Sequence, residues 1–480
     1  MLGIIRNNRP LKNTIRISRD TSLIVSTGHG PERNIMNRNA VEQLRSFFPI
    51  LRTSVHGRPL IYLDNAATMQ MPRPVMERMN AFYSGENANI HRGLHSLSEA
   101  ATAAYENVRK TAGVFLGIKD TEQIVFTAGS TDGINLAACM LEQILEPGCE
   151  IVTTEMEHHS DFLPWVELAE RKGLKLRIVP VKPDGHLDVE WLYSSISDKT
   201  RVIAFSELSN VTGIRNSAAD IIRTVRGLSD RVYILTDGAQ SAVHMSNEVD
   251  LLQTDFYCMS GHKLGAPTGT GVLYMSSRVQ EELRPVRFGG GTVSMVSKQN
   301  RAYYKAPACF EPGTPNYAGV IGLGSAMDFW MRQGEKCGGR DILYDHEKSL
   351  LTELEQRLGR IPGMRILGDS AEGERCGCLS FTVEGIHAYD MSRFLDQYGI
   401  AARSGHHCAM PYLTAMGCEF AVRFSVAPYN TSDEIMYTAD TCEKICELIR
   451  NAVESGRRRR TTVQHAELCT PARSTGSDPS

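Results

Sequence analysis

Val232-Tyr-Ile-Leu-Thr-Asp237-Gly-Ala-Gln240 and, after a helix-length gap, Phe256-Tyr-Cys-Met-Ser260-Gly-His-Lys263 each run from a strand-like apolar stretch straight into polar residues and glycine. The same pattern extends in both directions. Ile124–Phe126, Ile151–Thr154, Lys175–Val179, Val202–Phe205 and Gly271–Met275 are further strand candidates, most of them separated by helix-length segments. Strand and helix in alternation predict an α/β fold, a mostly parallel sheet covered by helices. In such sheets ligands sit beyond the carboxyl ends of the strands. After about residue 315 the pattern changes to a long helical stretch, Val320 to Leu358, with strand signals at Cys378–Val383 and Ala421–Val426. A second, smaller domain is expected to begin there.

The chain has 480 residues, 42% hydrophobic and 22% charged, and 52 Lys+Arg against 55 Asp+Glu leave a formal charge of −3. That composition suits a large globular core and excludes a disordered or collagen-like chain. No run of about 18 apolar residues predicts a membrane helix. The balanced charge argues against a nucleic-acid coat. Twelve scattered cysteines lack the spacing of a disulfide scaffold, so reduced thiols and a cytoplasmic location are expected.

The polar residues at the strand ends form four clusters. In Thr127-Ala-Gly-Ser-Thr-Asp-Gly133, Ser130 and Thr131 precede a helix expected from about Ile134, where they either hold a phosphate at the helix N-terminus or cap it. Asp237 either caps the next helix or pairs with a protonated ring nitrogen. Lys263, 26 residues further on, sits in a glycine-rich turn as a candidate Schiff-base former, with a solvated surface lysine as the plain alternative. Together, a phosphate cradle, an acid and a lysine are what pyridoxal phosphate requires. In Arg403-Ser-Gly-His-His-Cys408, His406, His407 and Arg403 are expected to favour the thiolate of Cys408. A metal site is the rival reading, and no second ligand pair at a familiar spacing supports it.

Tyr62-Leu-Asp-Asn-Ala-Ala-Thr68, Asn89-Ile-His-Arg-Gly-Leu-His-Ser-Leu-Ser98, Glu157-His-His-Ser160, Asp237-Gly-Ala-Gln240, Ser260-Gly-His-Lys-Leu264, Gly313-Thr-Pro-Asn316 and Arg403 to Cys408 occur in this order. They closely resemble the class V aminotransferase family, within it the group II, sulfur-mobilisation type of cysteine desulfurase. The resemblance spans about Asn39 to Leu448. It implies fold type I of the pyridoxal-phosphate-dependent transferases, with a mostly parallel seven-stranded sheet in a large domain (61–315), a smaller α+β domain (316–455), and an N-terminal segment, 36–60, packing with the latter. On matching positions it implies that Lys263 is the imine lysine and moves the substrate's Cα proton. Asp237 would pair with the pyridinium nitrogen, His158 stack on the ring and Gln240 reach its phenolic oxygen. Ser130, Thr131, Ser260 and His262 would bind the phosphate. Thr314 would reach the phosphate of a partner subunit, which implies a homodimer. Arg423 would hold the substrate carboxylate with Asn210 nearby, while His91 and Arg403 line the pocket. Cys408 becomes the nucleophile that takes sulfur from L-cysteine as a persulfide, releases alanine, and passes sulfur to an acceptor protein of iron–sulfur assembly.

Departures from the family pattern are also visible. Ala128-Gly-Ser-Thr-Asp132 stands where an arginine-containing string is common, and Asp161-Phe-Leu replaces the usual Asn-Ile-Val. Cys376 and Cys378 are expected on one strand face, and Cys442 and Cys446 on one helix face. Residues 1–40 carry Arg6, Arg9, Lys12, Arg16, Arg19, Arg33 and Arg38 against Asp20 and Glu32. They read as an overlong gene start before Met36 or as a transit peptide to an organelle matrix. Residues 456–480, with Arg457 to Arg460, read as a solvated tail. The alternatives within the fold are selenocysteine lyase, acting on L-selenocysteine, or a transaminase; outside it, a catalytically idle sulfur-transfer scaffold.

Overall fold

In the computed structural model, residues 36–246, 248–369 and 375–468 are described. The leader, residues 1–35, and the end of the tail, residues 469–480, lie outside the described residues.

All seven expected strands form, and they form one sheet: β1 (Ile124–Thr127), β2 (Glu150–Thr154), β3 (Lys175–Val179), β4 (Thr200–Ser206), β5 (Tyr233–Asp237), β6 (Phe256–Ser260) and β7 (Gly271–Met275). Their order is β1-β7-β6-β5-β4-β2-β3. The pairs from β3 to β6 are parallel, and β7 runs antiparallel to both β6 and β1. Six strands therefore end on one edge. Strands β1, β2, β5, β6 and β7 are buried at every residue, which is why their sequences are continuously apolar rather than alternating. The register sets Ser206 opposite Asp237 and Asp237 opposite Cys258, so the polar residues at this edge lie level with one another.

A second sheet follows, with β8 (Met364–Ile366), β9 (Cys378–Val383), β10 (Arg403–Gly405) and β11 (Ala421–Ser425) antiparallel in the order β8-β9-β11-β10. The helices that bear on the argument are α1 (Arg38–Arg45), α2 (Ser96–Leu116), α3 (Ser130–Leu141), α4 (His159–Lys172), α5 (Tyr317–Cys337), α6 (Arg340–Leu358) and α7 (Ser432–Leu468). The long helical stretch expected from Val320 to Leu358 is two helices. Gly338 at φ +97° ends α5 and Gly339 at φ +146° precedes α6, conformations that glycine adopts without a Cβ penalty. Helix α5 packs on α2 and on the helix Arg73–Ala81, whereas α6 packs on α7.

The cysteines outside the site are mostly packed side chains. Cys378 opens β9, but Cys376 lies before it, across Gly377 at φ +69°, so the two do not share a strand face as expected. Cys376 packs with Leu208 and Met245, and the Cys378 Sγ points to the Ser209 carbonyl at 3.7 Å. Cys442 and Cys446 are buried together on α7. Among the described residues no helix is long and apolar enough to cross a membrane.

Candidate active site

A cavity of about 460 Å³ opens where the carboxyl edge of the large sheet meets β10 and β11. Ser130, Thr131, His158, Asn210, Asp237, Ser260, His262, Lys263, Arg403, Cys408 and Arg423 all line it, with Ala66, Ala67, Ser160, Tyr389 and His406 among their neighbours. Residues separated by almost 300 positions in sequence thus share one small volume.

One corner suits an anion. Helix α3 starts at Ser130, earlier than the expected Ile134, immediately after Gly129 at φ +146°. The Ser130 N–H donates to Ser260 Oγ at 2.8 Å, and the two serine hydroxyls are 3.0 Å apart. Thr131 Oγ1 lies 2.7 Å from Ser160 Oγ. Hydroxyls gathered at the start of a twelve-residue helix offer donors and a positive partial charge to a phosphate.

The floor is acidic. Asp237, at the end of β5, accepts from the Ala239 N–H at 2.9 Å through Oδ1, leaving its other oxygen for a ligand. Burial raises its pKa, opposed by the charge of Lys263. Behind it, Glu157 accepts from Thr154 Oγ1 at 2.6 Å and from Ser206 Oγ, and Asp161 accepts from Trp165 Nε1 at 2.9 Å. Lys263 lies in the 3₁₀ turn Gly261–Leu264 that follows β6. Desolvation lowers its pKa, with Asp237 opposing and Arg423 reinforcing. An amine so placed is more readily available as the free base. His158 lies across the cavity. Its Nδ1 accepts from the Ser160 N–H at 3.1 Å, capping α4, and burial pushes its pKa down to about 3. It is a neutral ring with a flat face.

The opposite wall is basic. Arg403 on β10 and Arg423 on β11 are direct cross-strand partners, a pairing of like charges that is unfavourable by itself. Asp64 relieves it. Its carboxylate takes Arg403 Nε and Nη2 at 3.0 Å each, and Arg423 Nη2 at 3.5 Å. Arg423 also donates from Nη1 to the Asn210 carbonyl at 2.7 Å, yet its buried Nε has no hydrogen-bond partner. That orphaned donor beside a guanidinium pair fits a ligand carboxylate.

Cys408 stands on a tight, exposed turn with His407 at φ +50° and itself at φ +53°. The turn is pinned on several sides. The His159 N–H donates to the Cys408 carbonyl at 2.6 Å, the Met410 N–H donates to His159 Nε2 at 3.2 Å, and the Cys408 N–H donates to His406 Nδ1 at 3.1 Å. Asn210 Nδ2 donates to the His407 carbonyl at 2.8 Å. His407 is not the cationic neighbour expected from sequence. It is buried with Nε2 against the Ala421 carbonyl, and burial drives its pKa down to about 3, so it is neutral and structural.

Three expected site residues do not line the cavity. Gln240 lies just beneath it, donating from Nε2 to the Ala66 carbonyl at 3.0 Å. His91 is exposed, 3.0 Å from Glu106 Oε1. Thr314 is exposed on a separate loop, which joins the segment before Val293 through the Gly313 N–H and the Gly290 carbonyl. Conversely, sequence reading passed over Asp64, Glu157 and Asp161 as site residues. Asp64 lies in the string Tyr62 to Thr68 and Asp161 three residues beyond His158, and no spacing in the sequence ties either to the arginines or to Asp237.

The residues present fit pyridoxal 5′-phosphate. An anion corner, an unspent Asp237 oxygen, a flat neutral ring and a desolvated lysine converge on one cavity. The comparisons agree. Residues 61–437 match the family described as aminotransferase class-V. A cysteine desulfurase of Salmonella agona (strain SL483) is 42% identical over 397 residues, covering 82% of this chain and 95% of that protein. The crystal structure of the cysteine desulfurase CsdA (S-sulfonic acid) from Escherichia coli superposes with a TM-score of 0.77 at 35% identity, covering 86% of this chain and 99% of that one. The apo cysteine desulfurase of Thermococcus onnurineus NA1 does so with a TM-score of 0.79 at 34% identity, covering 85% and 98%. The cavity built at the junction of the two sheets and these likenesses lead to one conclusion, that the chain belongs to the class V aminotransferase family, among its cysteine desulfurases.

Proposed function

We propose that this protein converts L-cysteine to L-alanine and leaves the substrate's sulfur as a persulfide on Cys408. The observation that carries the reading is the meeting of Lys263 and Cys408 in one cavity with Asp237 and Arg423. A transaminase needs no thiol there, and an idle scaffold needs neither residue.

Pyridoxal phosphate, when bound, supplies an electron sink for the substrate's α-carbon. Ser130, Thr131, Ser260 and His262 would hold the phosphate, Asp237 would accept the ring-nitrogen N–H, and His158 would offer its flat neutral ring to the cofactor. Arg423, with its open Nε and with Asn210 behind it, orients the substrate carboxylate. Lys263 Nζ takes the Cα proton as a desolvated amine. The Cys408 thiolate attacks the substrate sulfur, so that an S–S bond forms and the Cβ–S bond breaks. The electron pair left on Cβ takes a proton, and the proton held by Lys263 returns to Cα, which gives alanine. The clamped turn keeps the thiol at the cavity mouth, where an acceptor protein of iron–sulfur assembly reaches it. A thiol that must be regained after each transfer calls for a reducing compartment, the cytoplasm.

The short, pinned Cys408 turn supports the sulfur-mobilisation subtype. We assign residues 61–315 to the cofactor domain and 316–455 to the smaller one, with 36–60 an N-terminal segment packing with the latter. A homodimer with shared sites is supported by the strand pair Val293–Val296 and Arg301–Tyr303. Near the Thr314 loop, Met295 and Val296 of this pair are 54% and 69% exposed and Phe288 before it 66%, apolar side chains that a partner subunit would cover.

The purified protein should be yellow with bound cofactor and, given L-cysteine and a reductant, release alanine and sulfide in equal amounts. Lys263→Ala should lose the colour, and Cys408→Ala should keep the colour but lose sulfide release. Unchanged sulfide release in the Cys408 variant sinks the persulfide route.

A further inference from the structure

Three carboxylates are buried together beneath the cofactor cavity. Glu157 and Asp161 have no exposed surface, Asp237 is 6% exposed, and only Asp237 reaches the cavity. Their hydrogen bonds are unequal. Both Glu157 oxygens accept from hydroxyls, those of Thr154 and Ser206. Asp237 accepts from a backbone N–H and faces Lys263. Asp161 accepts from the Trp165 indole at Oδ1, its buried Oδ2 receives no hydrogen bond, and its carboxyl lies within hydrogen-bonding reach of that of Glu157. The titratable groups around Asp161 are Glu157 on its own segment, Asp237 on β5 and Cys258 on β6. Among the described residues no cation bonds to Glu157 or to Asp161. An acid in the first turn of a helix, as Asp161 is in α4, ordinarily keeps its charge on the helix dipole. Here two neighbouring carboxylates and complete burial oppose that.

A buried carboxylate oxygen with no donor is costly as an anion and much less so as an acid. We propose that Asp161 carries a proton on Oδ2 and acts as a positioning residue, a neutral acid that leaves the negative charge of the trio to Glu157 and Asp237, so that Asp237 stays ionised toward the ring nitrogen. Burial and the two neighbouring carboxylates also hold the Asp161 pKa well above its ordinary range, and burial pushes that of Glu157 up to about 7. A protonated aspartic acid has the same shape and the same net charge as an asparagine. The inference rests on the reading of Asp237 as the partner of the pyridinium.

Infrared spectroscopy of the holoprotein in light and heavy water tests it directly. At neutral pH a protonated-carboxyl C=O stretch is expected that is lost in Asp161→Asn and persists, shifted, in Glu157→Gln. No such stretch in the native protein, or one that survives Asp161→Asn and vanishes in Glu157→Gln, overturns the assignment. The visible band of the bound cofactor gives a second readout that a merely structural role would not move. If Asp161 is neutral, the pH midpoint of that band is unchanged in Asp161→Asn. If it is an anion, removing its charge lowers the midpoint by about one pH unit or more, which overturns the proposal. A protein that shows the C=O stretch but never takes up colour with pyridoxal phosphate upholds the proton on Asp161 and sinks the reading of Asp237.

Discussion

Arg423 shows how much one side chain depends on its neighbours. Alone on β11 it is a buried guanidinium whose pKa burial pulls below the ordinary arginine value. With Asp64, the Asn210 carbonyl and a free Nε it becomes a receptor for one more carboxylate. Lysine keeps the charge but loses the planar fork. Arg423→Lys should therefore forfeit a charge-assisted hydrogen bond of about 1.5–3 kcal/mol, a loss of roughly 10- to 100-fold in kcat/KM for L-cysteine. Steady-state kinetics with the cofactor saturating would show it mainly as a raised KM, and a wild-type KM would count against the role. Arg403, bound to Asp64 through two nitrogens, is the group that keeps that carboxylate from collapsing onto Arg423. Arg423 was legible in the sequence through its motif match. Asp64 was not, because its role exists only once β10 and β11 put two arginines face to face.

At the scale of elements, the segment joining β1 to α3 is the most constrained part of the site. Gly129 adopts φ +146°, and a Cβ built on it would meet Ser260 Oγ at 3.3 Å, the hydroxyl that receives the Ser130 N–H. A side chain there carries backbone strain of about 1–3 kcal/mol and pushes on the phosphate corner. Gly129→Ala is expected to bind pyridoxal phosphate at least tenfold more weakly, as read by quenching of intrinsic fluorescence during titration of the apoprotein, with folding retained. The strands of the large sheet were readable from sequence as short apolar runs bounded by turns, whereas β8 and β10 of the small sheet, three residues each, were not. Helix limits were less so. The helix at Val320–Leu358 broke at a glycine pair that periodicity cannot weigh, and α3 began four residues early because its first turn is made of the polar residues that seemed to precede it.

For the whole molecule, buried histidines set part of the pH response. His158 and His407 have folded-state pKa values pushed down to about 3 by burial, against an ordinary 6.5. The folded protein then binds fewer protons than the unfolded chain below pH 6.5, so stability is complete above that pH and is lost as pH falls toward 3. Each histidine should cost up to about 2 kcal/mol between pH 6.5 and about 5. Urea unfolding of the apoprotein at those two pH values should show the loss, and His407→Gln should make it shallower; equal slopes would refute the assignment. The exposed hairpin makes a further whole-molecule prediction. Val296→Glu should shift the oligomer toward monomer in light-scattering chromatography and lower activity with it, whereas an unchanged mass would remove this face from the interface.

The sequence by itself determined the parallel sheet, the order of its strands along the chain, the family and most of the cavity's residues. Those properties follow from local patterns of burial and from motifs that survive as strings. What only the tertiary structure decided is which groups act on one another. It made His407 neutral by burying it against a carbonyl, turned Asp64 into the mediator between two arginines, and set Glu157 and Asp161 beneath Asp237. The physical reason is that desolvation and Coulomb interaction depend on distances and burial in three dimensions. Whether a titratable group is ionised, and how strongly its charge acts, is decided only when its surroundings are folded around it.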